Sequence, residues 1–313
     1  MGAHPGTGDD LPSTPEGRWA SLRRAGILLC LGVTSCGPSV LVPAGAIGKA
    51  ERSILVDSLG IMLAIVLPTI ALALAFAWWY RQSNGRAKRL PEFVYSGRIE
   101  LVVWAVPLMT IMLLGGVTWI GAHALDPGHA IASKQKPLEI QGVSLDWKWL
   151  FIYPDQHVAS VNELTVPTGV PIHFSLTSGS VMNAFFIPRL GSMIYTMDGM
   201  ISRLNLMADK PGNYWGESSH YSGDGFSDMH FNVHAVPQDQ FAAWVSATQA
   251  SGPKLDAGAY TQLAKQSRHV APFTYASTDP DLFLSVASER IPQGPGPVES
   301  GARKATVSPE GLQ

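Results

Sequence analysis

A protein centre that passes single electrons through copper needs soft donors, namely thiolate, imidazole and thioether, held in a fixed frame. Residues 216–229, Gly-Glu-Ser-Ser-His-Tyr-Ser-Gly-Asp-Gly-Phe-Ser-Asp-Met, keep the spacing of such a loop without its donors. Set against the pattern Cys-x-x-x-Cys-x-x-x-His-x-x-Met, Ser218 and Ser222 stand at the cysteine positions and Phe226 at the histidine. Met229 alone keeps a sulfur. The further imidazole, expected from an earlier strand end, is replaced by Asn183 in Ser-Val-Met-Asn-Ala-Phe-Phe-Ile-Pro. A protonated serine hydroxyl is a hard, poor copper ligand, and a phenyl ring has no lone pair to give. The expectation is that no metal binds at Asn183, Ser218, His220, Ser222, Phe226 and Met229.

The neighbouring histidines suggest a substitute site, but strand alternation argues against one. Along 229–236, His230 and His234 share a face with Asn232, while Met229, Phe231, Val233 and Ala235 take the other. Exposed histidines opposite a core-facing row is the simpler reading. Trp147 and Trp149, two apart, are expected on one strand face as a packed aromatic pair. No nucleotide-binding context surrounds the Gly-x-Gly sequences. The chain has only two cysteines, Cys30 and Cys36.

The elements that must position this loop begin at the membrane. The 313 residues are 46% hydrophobic and 15% charged, more apolar than an average soluble domain, and the net charge of -2 gives no basic surface for nucleic acid. Arg18, Arg23 and Arg24 precede a short apolar run and then Val33-Thr34-Ser35-Cys36. Small residues directly before a cysteine resemble a lipobox, so 1–35 reads as a lipoprotein signal peptide and Cys36 as the acylated new N-terminus. Cleavage there discards Cys30 and leaves no pair for a disulfide.

Residues 36–58 are then an extracytoplasmic segment. Leu59 to Trp79 and Leu101 to Ala122 run without a charge. At about 1.5 Å per residue each reaches roughly 30 Å, enough to cross the hydrocarbon core. The connector, 80–100, carries Arg81, Arg86, Lys88, Arg89 and Arg98, which puts it in the cytoplasm and both flanks outside. The lipobox requires the same topology. Glu100 falls at the cytoplasmic start of the second span, where a dipole-favoured carboxylate is the plain reading and helix packing or proton uptake beside a partner the functional one. Asp57 admits a similar reading.

Beyond the second span, short runs bounded by Pro, Gly, Asn and Asp predict strands at 138–143, 145–153, 163–166, 172–177, 203–207, 212–217 and 229–236. Strands at that spacing make a β-sandwich or barrel over 123–236. Pro237 to Ala250 reads as a helix with Phe241, Ala242, Trp244 and Val245 at helical spacing, and Pro280 to Val286 as another. Residues 237–292 are thus expected to be helical, and 293–313, rich in Gly, Pro, Ser and charge, disordered.

Several long strings carry a family resemblance. Glu100-Leu-Val-Val-Trp104-Ala-Val-Pro107 resembles the second-helix motif of subunit II of the haem-copper oxidases. His123-Ala-Leu-Asp-Pro127, Asp146-Trp-Lys-Trp-Leu-Phe-Ile-Tyr-Pro154, Asn183-Ala-Phe-Phe-Ile-Pro-Arg-Leu-Gly191 and Tyr221 to Met229 look more particularly like the quinol-oxidising branch, the bo-type ubiquinol oxidases. The resemblance covers nearly all of the chain after Cys36. It implies a two-helix transmembrane hairpin followed by a cupredoxin-like Greek-key β domain, in the bacterial inner membrane with a periplasmic domain. It further implies a proton-translocating complex that oxidises ubiquinol and reduces oxygen to water, with haems and catalytic copper in the large subunit I and none on this chain. Smaller subunits III and IV and membrane lipid would be its other partners, with Glu100, Trp104 and Pro107 at a subunit interface and no role for cytochrome c. In the copper-containing branch, the position of His220 ligates through its backbone carbonyl rather than its ring. The alternative is a lipid-anchored, cupredoxin-like scaffold outside any oxidase.

Replacing Cys36→Ser is expected to abolish incorporation of radiolabelled palmitate, read by fluorography of the purified chain. The two spans should keep the variant in the membrane fraction, so that loss of label and loss of insertion are separable.

Overall fold

The computed structural model describes residues 40–88, 90–294 and 296. The expected signal peptide, Cys36 and residues 297–313 of the expected tail lie outside the described residues. Two long helices come first, α1 (Ala46–Trp79) and α2 (Gly97–Ala124). Most of their side chains are exposed in this chain, and only Gly48 and Gly121 are buried within them. Helices apolar around their whole circumference have no core of their own to face and are suited to lipid or to partner helices. Gly121 lets α2 approach α1 closely, since a Cβ there would fall 2.7 Å from Ile54 Cδ1.

The first span was expected to begin at Leu59, yet the helix starts at Ala46. Its 34 residues reach about 51 Å, well beyond a 30 Å hydrocarbon core. The extra length includes Lys49, Glu51 and Arg52 and is stabilised by contact with the β domain. Gly45 and Gly48 meet Leu190 backbone so closely that a Cβ at Gly45 would stand 2.7 Å from Leu190 O. Lys49 pairs with Asp209, Ser192 Oγ donates to Glu51 Oε1, and Ala44 N donates to Arg189 O. Expected residues 36–58 are therefore partly helix rather than a separate segment.

The β domain contains β1 (Leu138–Leu145), β2 (Lys148–Tyr153), β3 (Val158–Val161), β4 (Glu163–Pro167), β5 (Ile172–Ser178), β6 (Asn183–Ile187) and β7 (Gly191–Thr196). It continues with β8 (Ser202–Leu206), β9 (Gly212–Ser218) and β10 (His230–Val236), then α3 (Gln238–Ala250), β11 (Lys254–Leu255) and α4 (Ala257–Leu263). β12 (Phe273–Tyr275), β13 (Ser277–Thr278) and α5 (Leu282–Ala287) close the described chain. One sheet has the order β12-β3-β2-β1-β5-β8 and the other β4-β10-β9-β6-β7, while β11 and β13 pair separately. The parallel pairings of β1 with β5 and of β10 with β4 require the chain to cross between sheets. This is the cupredoxin-like sandwich expected from the sequence.

Between the sheets sits an aromatic cluster. Trp149 lies 5.3 Å from Phe185 and 5.7 Å from Phe231, Phe151 lies 5.0 Å from Phe231, and Phe174 lies 5.1 Å from Phe185. All five are fully buried. Leu150 and Ile152, pointing the other way from β2, join a second core with Tyr260, Leu263, Leu282 and Phe283.

Several sequence expectations change accordingly. The run 145–153 is interrupted at Asp146-Trp147, which form the tight turn of the β1–β2 hairpin, with Leu145 opposite Lys148. Trp147 is thus in a turn at φ 63, and it does not share a strand face with Trp149. Short strands β3, β6, β7, β11, β12 and β13 were missed. Residues 237–292 are not simply helical, because β12 joins the six-stranded sheet by pairing with β3.

Phe231→Ala should lower the unfolding free energy by about 3–5 kcal/mol, the range for a large buried aromatic cut to alanine. Urea unfolding of the detergent-solubilised chain, followed by tryptophan fluorescence, measures it.

Candidate functional site

Asn183 opens β6 and Ser218 closes the neighbouring strand β9, while Met229 immediately precedes β10. The loop between β9 and β10 is closed at its base by Ser218 N donating to Met229 O at 3.1 Å. A one-turn 3-10 helix, Phe226–Asp228, folds its far side back, with Met229 N donating to Phe226 O at 3.1 Å. Ser219 N donates to Ala184 O at 3.1 Å and ties the loop to β6.

The fold therefore gathers four of the six sequence-selected positions at one place and buries them: Asn183 (1% exposed), Ser218 (4%), Ser222 (6%) and Met229 (1%). Their polar atoms are turned on one another. Ser218 Oγ lies 3.1 Å from Asn183 Oδ1 and 3.3 Å from His220 O, and it accepts from Ala184 N at 3.4 Å. Asn183 Nδ2 donates to Val181 O at 3.1 Å, and the Ser222 hydroxyl lies 4.0 Å from Met229 Sδ. A buried hydroxyl or amide is stable only when paired in this way.

The other two positions take different roles. Phe226 is half-buried, its ring 5.7 Å from Tyr221. The His220 ring stands edge-on to Tyr195 at 5.9 Å. Of the later histidines, His230 stacks on Trp215 at 4.3 Å, and His234 is held by Asn213 at 2.7 Å and lies 3.6 Å from Glu163. Both are half-buried rather than fully exposed, opposite the buried Phe231, Val233 and Ala235. Among the described residues, no three His, Cys, Asp or Glu side chains cluster as metal ligands would. The donor set of amide, hydroxyls, phenyl ring and one thioether does not fit a soft-metal electron-transfer centre.

Residues that the sequence reading did not select support the loop from beneath. Trp147 Nε1 donates to Ser222 O at 3.0 Å, and its ring is packed so closely on Gly225 that a Cβ there would stand 2.1 Å from it. Asp228 receives Arg268 Nε at 3.0 Å, and His269 Nε2 stands 3.4 Å away. Next in sequence to Trp147, the Lys148 amine is fully buried and donates to Lys265 O at 2.8 Å and Ser267 Oγ at 2.7 Å. Burial lowers its pKa to about 8, partly offset by the nearby Asp146 carboxylate. Burial raises the Asp146 pKa, against a hydrogen bond from Ser180 and the Lys148 charge. The polar pair flanking Trp147 between apolar runs was a turn signal available in the sequence. Nothing in the sequence pointed to Arg268. Glu100 lies in the first turn of α2, and Glu100, Trp104 and Pro107 are all exposed in this chain.

Two membrane-length apolar helices followed by a β-sandwich with this loop define the oxidase subunit II class of architecture. Residues 156–236 match the family described as cytochrome c oxidase subunit II, periplasmic domain, and residues 249–288 match the COX aromatic rich motif. The chain is 46% identical to a cytochrome bo(3) ubiquinol oxidase subunit 2 of Pseudomonas aeruginosa, over 85% of this chain and 79% of that one. It is 44% identical to a ubiquinol oxidase subunit 2 of Acetobacter aceti, over 85% and 87% of the two chains. The solved periplasmic domain of subunit II of cytochrome oxidase of Bradyrhizobium japonicum is 26% identical and covers 37% of this chain and 96% of its own, with a TM-score of 0.35. The chain belongs to the ubiquinol oxidase subunit 2 family.

Because the folded pKa of Lys148 lies below that of a free lysine, the unfolded chain binds more protons between about pH 8 and 10. Stability should therefore rise with pH through that window, as the buried charge is relieved. Lys148→Met should remove this rise, as read from urea midpoints at pH 7.5, 9 and 10.

Proposed function

We propose that this chain is the copper-free second subunit of a proton-translocating ubiquinol oxidase, in which electrons pass from quinol to oxygen without using this β domain. The observation that carries the reading is the buried network Asn183–Ser218–His220 O, with Ser222 against Met229, where a metal-bearing loop would need thiolates and imidazoles. Haems and catalytic copper then reside in subunit I, and the complex reduces oxygen to water. The similarity to two ubiquinol oxidase subunits over most of the chain supports quinol as the donor, and cytochrome c is not expected to serve.

The task left to this chain is assembly. The membrane-length stretches of α1 and α2 expose apolar surfaces that suit lipid and the helices of subunit I, with Glu100, Trp104 and Pro107 at that contact. Around the loop, exposed Met193, Tyr195 and Tyr221 offer a further apolar surface for a partner above the membrane. Subunits III and IV complete the complex. Lys and Arg in the 80–100 connector support a cytoplasmic hairpin tip, and with Cys36 acylated, both terminal portions lie in the periplasm. Outside an oxidase, the same architecture would serve as a lipid-anchored scaffold.

Oxygen uptake by the complex purified through a tag on this chain, with ubiquinol or reduced cytochrome c as donor, tests the proposal. Uptake with ubiquinol alone is expected. Uptake with cytochrome c would overturn the copper-free reading, and a haem-free preparation inactive with both donors would favour the scaffold.

A further inference from the structure

The segment after α4 touches the metal-less loop and the turn beneath it together. Arg268 ion-pairs with Asp228 at 3.0 Å, with His269 3.4 Å from the same oxygen. The Arg268 guanidinium also lies over the Trp147 indole, 5.9 Å from the ring centroid, within cation–π range. That indole is packed on Gly225 and hydrogen-bonded to Ser222 O, so one ring connects the loop to the C-terminal segment. A few residues back, Lys265 O and Ser267 Oγ are fastened to the buried amine of Lys148.

We propose that residues 265–269 are an intramolecular plug that occupies the face of Trp147 and of the 222–228 loop, and thereby keeps a soluble, basic protein from docking there. The chemistry of the contact defines the partner it replaces. The loop presents the Asp228 carboxylate beside an aromatic ring, and the plug answers with a guanidinium and an imidazole, the groups a basic protein surface would supply. The plug is fixed to the domain by the buried Lys148 amine, so release requires giving up its hydrogen bonds to Lys265 O and Ser267 Oγ as well as the ion pair. Its geometry stands on these contacts alone, while its use, excluding a soluble electron carrier, rests on the quinol-oxidising reading.

Arg268→Ala provides the test, because the side chain is 41% exposed and belongs to neither hydrophobic core. In the intact, membrane-extracted complex, hydrogen exchange of the 222–229 peptide should quicken about tenfold relative to the parent, with the β2 peptide unchanged. Carbodiimide coupling to horse cytochrome c, used as a basic probe at low salt, should join Asp228 in the variant and not in the parent. Equal coupling in both proteins, or unchanged exchange in the loop, would overturn the plug. Loss of β2 protection would do so too, since the segment would then be part of the core rather than a cover. Lys148→Met should give the same coupling through release from the other end. Quinol-driven oxygen uptake by the parent complex is recorded in parallel, and its absence would count against the functional reading without touching the plug.

Discussion

Strand β2 has no free face, and the arrangement of the whole domain follows from covering both of its sides. Trp149, Phe151 and Tyr153 point into the space between the sheets, whereas Leu150 and Ile152 point outward to the C-terminal segment. A sheet with one face in water would alternate apolar and polar residues; Lys-Trp-Leu-Phe-Ile-Tyr does not, and each position is buried. Burying the second face obliges the chain to continue past the sandwich. Tyr260, Leu263, Leu282 and Phe283 supply that second layer. The fully buried Lys148 marks where the layer meets the loop, and its hydrogen bonds to Lys265 and Ser267 compensate part of the cost of placing an amine there.

The loop between β9 and β10 solves a related problem. The ties that hold this loop in the structure are single hydrogen bonds and ring contacts, each with a typical net worth of about 1 kcal/mol. Many weak ties must therefore act together. Ser218 alone engages Asn183, His220 and Ala184, and Trp147 reaches both Ser222 and Gly225. The small hydroxyl of serine matters because it is compact enough to be buried and can both donate and accept.

The two spans and most strands were legible because their signals are local. An uncharged run of membrane length needs no knowledge of the rest of the fold, and β10 declares its buried face by alternation at Phe231, Val233 and Ala235. The positions in the loop between β9 and β10 were selected from spacing, and the structure buries Asn183 with Ser218 and Ser222 with Met229. What failed were features set by distant partners. The helical start at Ala46 depends on docking against Leu190 and Asp209 rather than on the apolarity of its own residues. Strands β3, β6 and β7 are short and gain their form from the neighbours they pair with. Trp147 was misassigned because its positive φ, uncommon for a bulky residue, is imposed by the two-residue turn and by the packing over Gly225. Arg268 meets Asp228 across a separation of forty residues in sequence, which no periodicity encodes.

Helix α1 continues without a break from its apolar stretch into the contact with β7, where glycines at positions 45 and 48 bring the two backbones together. Mechanically, it is a helical lever with one interior weak point, Pro68, which cannot donate a backbone hydrogen bond. A change in tilt of about 5° over its roughly 51 Å would carry the end of the helix at the β domain some 4 Å sideways. Lipid thickness and neighbouring helices, by setting that tilt, would thus steer where the domain stands above the membrane.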